Sequence, residues 1–253
     1  MSGWLAIAGL GPGAAELVTP EVTEALAQAT DLIGYAPYVA RVPERAGLTR
    51  HGSDNREELD RAALALRLTS EGKRVVVVSS GDPGVFAMAA AVFEAIDHGD
   101  TAWRTLDIRV LPGISAMFAA AARVGAPLGH DFCAINLSDN LKPWELIEHR
   151  LRLAAQADFV IALYNPLSKA RPRQLGRALE LLREQLPGSV PVVFASAVSD
   201  AREAVEIVSL RDAIPERADM RTLVLIGSSR TRLIARPDNL PFVYTPRSAG
   251  VSP

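Results

Sequence analysis

A single cysteine, Cys133, stands in a chain of 253 residues. It cannot close an internal disulfide, it excludes a cysteine-ligated metal cluster, and it fits a reducing, cytoplasmic setting. The four histidines, His51, His98, His130 and His149, show no metal-ligand spacing such as H-E-x-x-H, so no metal site is expected. No apolar run is long enough to cross a bilayer, and no charged amino-terminal segment precedes a long apolar stretch. A membrane span and a signal peptide are therefore not expected. Neither sign of charge dominates: the net charge is −2, and no block of about five or six like charges occurs. Nucleic acid and membrane surfaces gain no electrostatic support as partners. No internal repeat is visible.

What remains is ordinary for a soluble globular protein, with 49% apolar and 22% charged residues. The length fits one large domain or two small ones. The organising stretch is Val75-Val76-Val77-Val78-Ser79-Ser80-Gly81-Asp82-Pro83-Gly84-Val85-Phe86. Four consecutive valines predict a strand buried on both faces, as in a parallel sheet. The strand stops at a Ser/Gly/Asp/Pro/Gly cluster, and helical sequence follows over 86–96. In an open α/β sheet, ligands bind beyond the carboxyl ends of the strands, which is where residues 79–86 would sit. Gly81 and Gly84 allow close backbone approach, and Asp82 supplies one fixed negative charge. A tight turn with Asp82 as a helix cap is the alternative.

Residues 4–10 predict a first strand that runs into Gly9-Leu10-Gly11-Pro12-Gly13-Ala14. This string satisfies the dinucleotide pattern G-x-G-x-x-G/A. Two details oppose a nicotinamide site. Thr19-Pro20-Glu21 reads as N-cap, N1 and first-turn acid, so the helix starts later than that fold requires. The next strand, 31–34, also ends without the acid that would bind a ribose. A tyrosine-bearing loop at 35–39 and a polar segment to Asn55 follow. A helix over 56–71 carries a Leu59, Ala62, Ala63, Leu66 stripe. Past the valine strand come a strand at 106–111, the turn Pro112-Gly113-Ile114-Ser115-Ala116 and a small-residue helix at 116–124.

The glycine- and proline-rich segment 125–129 marks a boundary, giving an amino-terminal α/β domain over 1–124 and a second over 125–247. The second half reads as strands at 132–137 and 159–164 around a helix at 144–155, then a helix at 172–185 with a Leu175, Ala178, Leu179, Leu182 stripe. Strands at 190–196, 204–209 and 222–226 complete it, the last ending at Gly227-Ser228-Ser229. The tail 248–253 is expected to be disordered. Strand-end turns at 9–13, 79–86, 112–116, 164–168 and 227–229 suggest a site formed between the domains.

Three of these turns carry a resemblance. Ile7-Ala8-Gly9-Leu10-Gly11-Pro12-Gly13, Gly81-Asp82-Pro83 and Pro112-Gly113-Ile114-Ser115, in that order and spacing, resemble the tetrapyrrole methylases, the class III S-adenosylmethionine-dependent methyltransferases. A second set is similar to the ring-contracting branch of that family in cobalamin synthesis: Gly34-Tyr35-Ala36-Pro37-Tyr38, Gly129-His130-Asp131-Phe132, the run from Leu137 to Glu145, and the run from Tyr164 to Arg171. The resemblance covers about residues 4–246.

It implies two α/β domains with the active-site cleft between them, a homodimer, S-adenosylmethionine as methyl donor with S-adenosylhomocysteine as product, and a tetrapyrrole acceptor. By motif, Pro12 lines the donor site. Ser80, Gly81, Asp82 and Val85 contact its amino-acid part or ribose, Ser115 and Ala116 line it from the next turn, and Asn165 meets the adenine side with a further contact near Ala197.

A sulfonium methyl is already activated, so positioning is the largest expected catalytic effect. Asp82 is expected to offset the donor's positive charge. Ring contraction calls in addition for a positioned acid or base. His130, Asp131, Asp139 and Tyr35 are the candidates, with capping of the following strand the alternative for His130 and Asp131. Lys142, Lys169, Arg171, Arg173, Arg230 and Arg232 are candidates for the acceptor's carboxylates, or else a solvated surface. Tyr35 and Tyr38 either pack on the macrocycle or serve the core or a dimer contact. A non-catalytic tetrapyrrole carrier would not need the donor-site motifs.

Overall fold

The computed structural model describes residues 3–54, 57–168, 170–237 and 239–248. The chain divides into two units, Met1–Ala116 and Met117–Pro253. The first runs β1 (Trp4–Gly9), α1 (Pro20–Gln28), β2 (Asp31–Tyr35), α2 (Ala36–Val39), β3 (Thr49–Ser53), α3 (Glu58–Ser70), β4 (Arg74–Ser79), α4 (Met88–His98) and β5 (Asp107–Leu111). Its five strands form one parallel sheet in the order β3-β2-β4-β1-β5.

The valine strand β4 lies at the centre of that sheet, and Val75, Val76, Val77 and Val78 are each fully buried. Alternate side chains enter opposite cores. Val75 and Val77 pack with Leu5, Ile7 and residues of α3 and α4. Val76 and Val78 pack with Ala6, Ala8 and Val22 of α1. Burying a valine side chain stabilises by about 1.5–3 kcal/mol, so this run is a principal anchor of the unit. Helix α1 begins where the sequence places it: Pro20 is its first residue, and the Thr19 hydroxyl accepts from the Val22 N–H at 3.3 Å.

Three local expectations are corrected. Residues 35–39 are not simply a loop, because the short helix α2 forms there. The polar segment before Asn55 contains the edge strand β3, sequence TRHGS, which pairs on one side only and so needs no apolar alternation. In α3 the buried face is Arg61, Ala62, Ala65, Leu66 and Thr69, whereas Leu59 is 57% exposed, so the real stripe is rotated from the expected one. The expected first residue of that helix, Arg56, lies outside the described residues.

The second unit holds α5 (Ala116–Val124), β6 (Gly125–Ala126), β7 (Phe132–Asn136), α6 (Trp144–Gln156), β8 (Val160–Tyr164), α7 (Gln174–Gln185), β9 (Pro191–Ser196), β10 (Ala204–Ser209), β11 (Thr222–Ile226), β12 (Arg232–Arg236) and β13 (Asn239–Tyr244). Apart from the first residue of α5, all of these lie in 117–253. The main sheet is ordered β10-β9-β11-β8-β7. Strands β7 and β8 are parallel, while β11 runs antiparallel to both β8 and β9. It follows that β7, β8 and β9 point the same way and β11 points the other.

Helices α6 and α7 pack on this sheet through Ile147, Leu151, Leu175, Ala178, Leu179 and Leu182. The expected α7 stripe is thus the buried one. The hairpin β12–β13, which joins β6 in a small third sheet, has no counterpart in the sequence reading. Its side chains Leu233, Ile234 and Phe242 are about half exposed, so burial left no clear alternation to read.

Candidate functional site

In a parallel sheet every strand delivers its following loop to the same edge. Residues 9–13, 79–86 and 112–116 therefore gather at the carboxyl edge of the first sheet, together with Tyr35 at the end of β2. Strands β1 and β4 are neighbours, yet the chain leaves β1 toward β2 and leaves β4 toward β5, in opposite directions across the sheet. That is a topological switch point, where the diverging connections open a crevice for a ligand.

The two loops are joined there. Gly81 N–H donates to the Gly11 carbonyl at 2.9 Å, and Gly11 N–H donates to the Gly81 carbonyl at 3.1 Å. Both glycines have positive φ, 63° and 66°, a region that costs a residue with a Cβ about 1–2 kcal/mol. Gly113 closes on the same point: a Cβ built on it would lie 2.2 Å from the Gly81 carbonyl oxygen and 2.9 Å from the Gly9 Cα. Three glycines from three loops thus bring backbone against backbone.

Asp82 fixes the third loop to the second. Its Oδ1 accepts from the Gly84 N–H at 2.8 Å, and its Oδ2 accepts from the Gly113 N–H at 3.0 Å. The helix-cap alternative for Asp82 is corrected here, because α4 does not begin until Met88. Phe86 (φ 53°) and the extended Ala87 hold residues 86–87 out of that helix. The helix is received instead by Ser79, whose hydroxyl accepts from the Met88 N–H at 3.3 Å. Pro12, Ser80, Gly81, Asp82, Val85 and Ser115 occupy these loops and Ala116 opens α5 directly after the last of them, and Ser115 and Gly81 are buried.

One side chain at this edge escaped the sequence reading. Arg41, just past α2, donates to the carbonyls of Leu10 (2.6 Å), Gly11 (3.2 Å) and Gly13 (3.2 Å), and to the Ser80 hydroxyl at 3.4 Å. No spacing rule could find it, because its partners lie some thirty to forty positions away. Beside it, the Tyr35 and Tyr38 rings meet edge to face at 5.2 Å. Burial and the neighbouring Tyr35 raise the Tyr38 phenol above its ordinary pKa, against the opposing pull of Arg41 and Arg61.

In the second unit the carboxyl ends of β7, β8 and β9 share an edge. Asn165, at φ 51°, donates from Nδ2 to the Asn136 Oδ1 at 3.0 Å, and the same oxygen accepts from the Ser138 N–H at 2.9 Å. Ala197, at φ 48°, donates its N–H to the Arg221 carbonyl at 3.2 Å. Asp139 belongs to this edge as well, its Oδ2 accepting from Gln174 Nε2 at 3.0 Å. Asn136 and Gln174 were not singled out from the sequence.

His130 and Asp131 precede β7 and lie at the opposite edge. There Asp131 offers its carbonyl to the Val160 N–H at 3.2 Å, and both residues line a cavity of about 230 Å³ with Asp158, Phe159 and Arg230. A five-residue strand is about 15 Å long, so the four candidate acid–base groups are not brought together. His130 and Asp131 are separated from Asp139 by the length of β7. The turn 227–229 is also corrected: β11 runs backwards, and Gly227 bonds to the Pro191 carbonyl at 2.8 Å, at the edge where β9 begins.

The basic candidates divide in the same way. Lys142, Arg171 and Arg173 follow the carboxyl ends of β7 and β8, whereas Arg230 and Arg232 follow β11 at the other edge. Burial, with Arg150 nearby, lowers the Lys142 pKa against the pull of Asp139. Lys169 lies outside the described residues. Cys133, half-buried within β7, has its thiol pushed up to about 11 by burial, which keeps it an unreactive thiol near neutrality. Among the described residues no helix is long and apolar enough to cross a membrane.

A parallel sheet with glycine loops crowded at its switch point places this chain among the α/β proteins, whose ligand sites lie at the carboxyl edge of the sheet, and comparison with known proteins gives the class. A family profile described as Tetrapyrrole (Corrin/Porphyrin) Methylases matches residues 5–214, and the chain belongs to that family. A precorrin-3B C(17)-methyltransferase of Sinorhizobium sp is 57% identical over 247 residues, covering 98% of this chain and 97% of the relative. The crystal structure of the methyltransferase CobJ aligns with a TM-score of 0.93 and 60% identity, over 97% of this chain and 100% of that one. A cobalt-factor III methyltransferase of Priestia megaterium is 40% identical over 235 residues, and there the chain spans 43% of the relative's length.

Proposed function

We propose that this chain transfers a methyl group from S-adenosylmethionine to carbon 17 of precorrin-3B, with contraction of the ring, to give precorrin-4 in cobalamin biosynthesis. The observation that carries the reading is the 57% identity with the Sinorhizobium enzyme along almost the whole of both chains. When bound, the donor supplies an activated methyl on a sulfonium that departs as a neutral thioether.

The residues suit such a ligand. The loops after β1, β4 and β5 carry small residues and buried backbone at a switch point, which fits a donor recognised by its adenosine and amino-acid groups. The reading gives donor contacts to Pro12, Ser80, Gly81, Asp82, Val85, Ser115 and Ala116. Asn165 and Ala197, both held at positive φ, serve the adenine side. Asp82 keeps the loops in register with both of its oxygens engaged by backbone N–H groups, and the negative charge it brings to the turn opposes a sulfonium's. Of the acid–base candidates, Tyr35 and Asp139 stand at carboxyl edges, so proton handling in ring contraction falls to them rather than to His130 or Asp131. The enzyme acts as a cytoplasmic homodimer.

The test is methyl incorporation. Purified protein is incubated with methyl-labelled S-adenosylmethionine and precorrin-3B, and the product is read by mass and absorption. A labelled, ring-contracted product is expected; absence of label in the tetrapyrrole fraction overturns the proposal. A cobalt-loaded acceptor is the second reading, favoured by the 40% identity with the Priestia cobalt-factor III enzyme. Parallel assays with the metal-free and cobalt-containing acceptors separate the two.

A further inference from the structure

We infer that Arg41 is the positioning residue of the methyl-donor site: it fixes the loop after β1, and through Ser80 the turn after β4, in the shape that receives the donor, without touching the donor itself. The inference rests on the donor-site reading given above.

Backbone bonds at Leu10 and Gly11 tie the loop over residues 10–13 to the end of β4 and its turn, but that loop has little else of its own to fix its shape. It contains two glycines and a proline in four residues, and Gly11 sits at a φ of 63°. Glycine-rich backbone has many alternative conformations to lose on ordering. Three of its carbonyl oxygens, those of Leu10, Gly11 and Gly13, nevertheless turn toward one point, where their partial negative charges would repel one another. The Arg41 guanidinium occupies that point. Nη2 reaches Leu10 and Gly13, while Nη1 reaches Gly11 and the Ser80 hydroxyl. A planar fork with two terminal nitrogens can span these acceptors, whereas the single ammonium of a lysine cannot cover the same spread.

The base of Arg41 is itself anchored. Its N–H donates to the Tyr38 carbonyl at 3.1 Å, and Arg50 donates to the Val39 and Val42 carbonyls on either side. The guanidinium therefore comes from a fixed platform, and its charge is taken up by loop oxygens rather than offered to a cationic ligand. Orientation of the Leu10, Gly11 and Gly13 carbonyls fixes their peptide planes. It leaves the Leu10–Gly11 amide directed at Gly81, which completes the bridge between the two loops.

The test uses Arg41→Met and Arg41→Lys, titrated by calorimetry with S-adenosylhomocysteine and with 5′-methylthioadenosine, which lacks the amino-acid part. Hydrogen bonds from a charged group predict a loss of roughly tenfold to a hundredfold in affinity for Arg41→Met. The loss is expected to be equal for the two ligands, because a misshapen loop harms both. Arg41→Lys recovers part of it, and in turnover assays the donor KM rises more than kcat falls.

An Arg41→Met protein that binds both ligands as the parent does overturns the inference. So does a loss confined to S-adenosylhomocysteine, which would make Arg41 a direct partner of the donor carboxylate. If Arg41→Met fails to fold, Arg41→Lys decides: parental affinity for both ligands overturns the inference, and a shared fall supports it. A parent protein that binds neither ligand overturns the donor-site reading and this inference with it. Parental binding unchanged in Arg41→Met overturns this inference alone.

Discussion

Asp219 gathers four groups around one carboxylate at the carboxyl edge of the second sheet. It accepts from the Thr222 and Ser196 hydroxyls at 2.8 and 3.0 Å and from the Arg221 backbone N–H at 2.9 Å, with the Arg221 guanidinium alongside at 3.1 Å. Burial alone would raise its pKa, but these hydrogen bonds outweigh it and lower the pKa from 3.8 to about 2. The folded-state value is depressed, so the stabilisation is complete above 3.8 and is lost as pH falls from there to about 2.

The side chain is partly exposed, so the effect is modest. Asp219→Asn is expected to cost about 1 kcal/mol at pH 7, a fall in Tm of roughly 2–4 °C. The difference from the parent should shrink as the pH drops through that window, which a series of thermal melts between pH 7 and 2 measures. A variant that melts with the parent at pH 7 would place the cluster outside the stability of this unit. Because Arg221 also accepts the Ala197 N–H, the same substitution should loosen the loop proposed for the adenine side.

At the scale of elements, the proposed donor site is built from loops, and Gly113 is the tightest point in them. An added methyl would meet the Gly81 carbonyl and the Gly9 backbone, neither of which is a flexible side-chain tip. Gly113→Ala is therefore expected to destabilise by about 1–3 kcal/mol, as overpacking does. It should also weaken S-adenosylhomocysteine binding by at least roughly tenfold, since Gly81 and the loop after β1 must move apart. Calorimetric titration and a thermal melt read the two effects. Unchanged binding would mean that the three-loop junction does not shape the donor site.

Elements also show where sequence reading succeeds. Central strands such as β4, β8 and β11 announce themselves because burial on both faces demands unbroken apolar runs. Helices α5 and α7 do so through small-residue composition or a buried leucine stripe. The edge strand β3, the hairpin β12–β13 and the short helix α2 do not, because partial burial imposes no clear pattern on their residues. The rotation of the α3 face has the same origin. Leu59 fits the helical period, but which side of the helix meets the sheet is decided by packing rather than by period.

At the scale of the whole molecule, the family resemblance carried an expectation of a homodimer. Sedimentation of the purified protein should give a mass near twice that of the 253-residue chain, unchanged on dilution through the micromolar range. A monomer at all concentrations would remove the partner from the proposal and leave the chemistry of each chain intact.

The sequence by itself determined the class of fold, the strands at its centre and the turns in which they end. Each of these depends on local composition: a valine run, a glycine that alone tolerates its φ, a turn at a strand end. Tertiary structure alone decided which of those ends share an edge. The direction of β11 removed the turn 227–229 from the edge that carries Asn165 and Ala197, and the length of β7 parted His130 and Asp131 from Asp139. It also brought Arg41 to carbonyls some thirty residues away. Strand direction and long-range hydrogen bonds are properties of pairing across a sheet, and no window of neighbouring residues contains them.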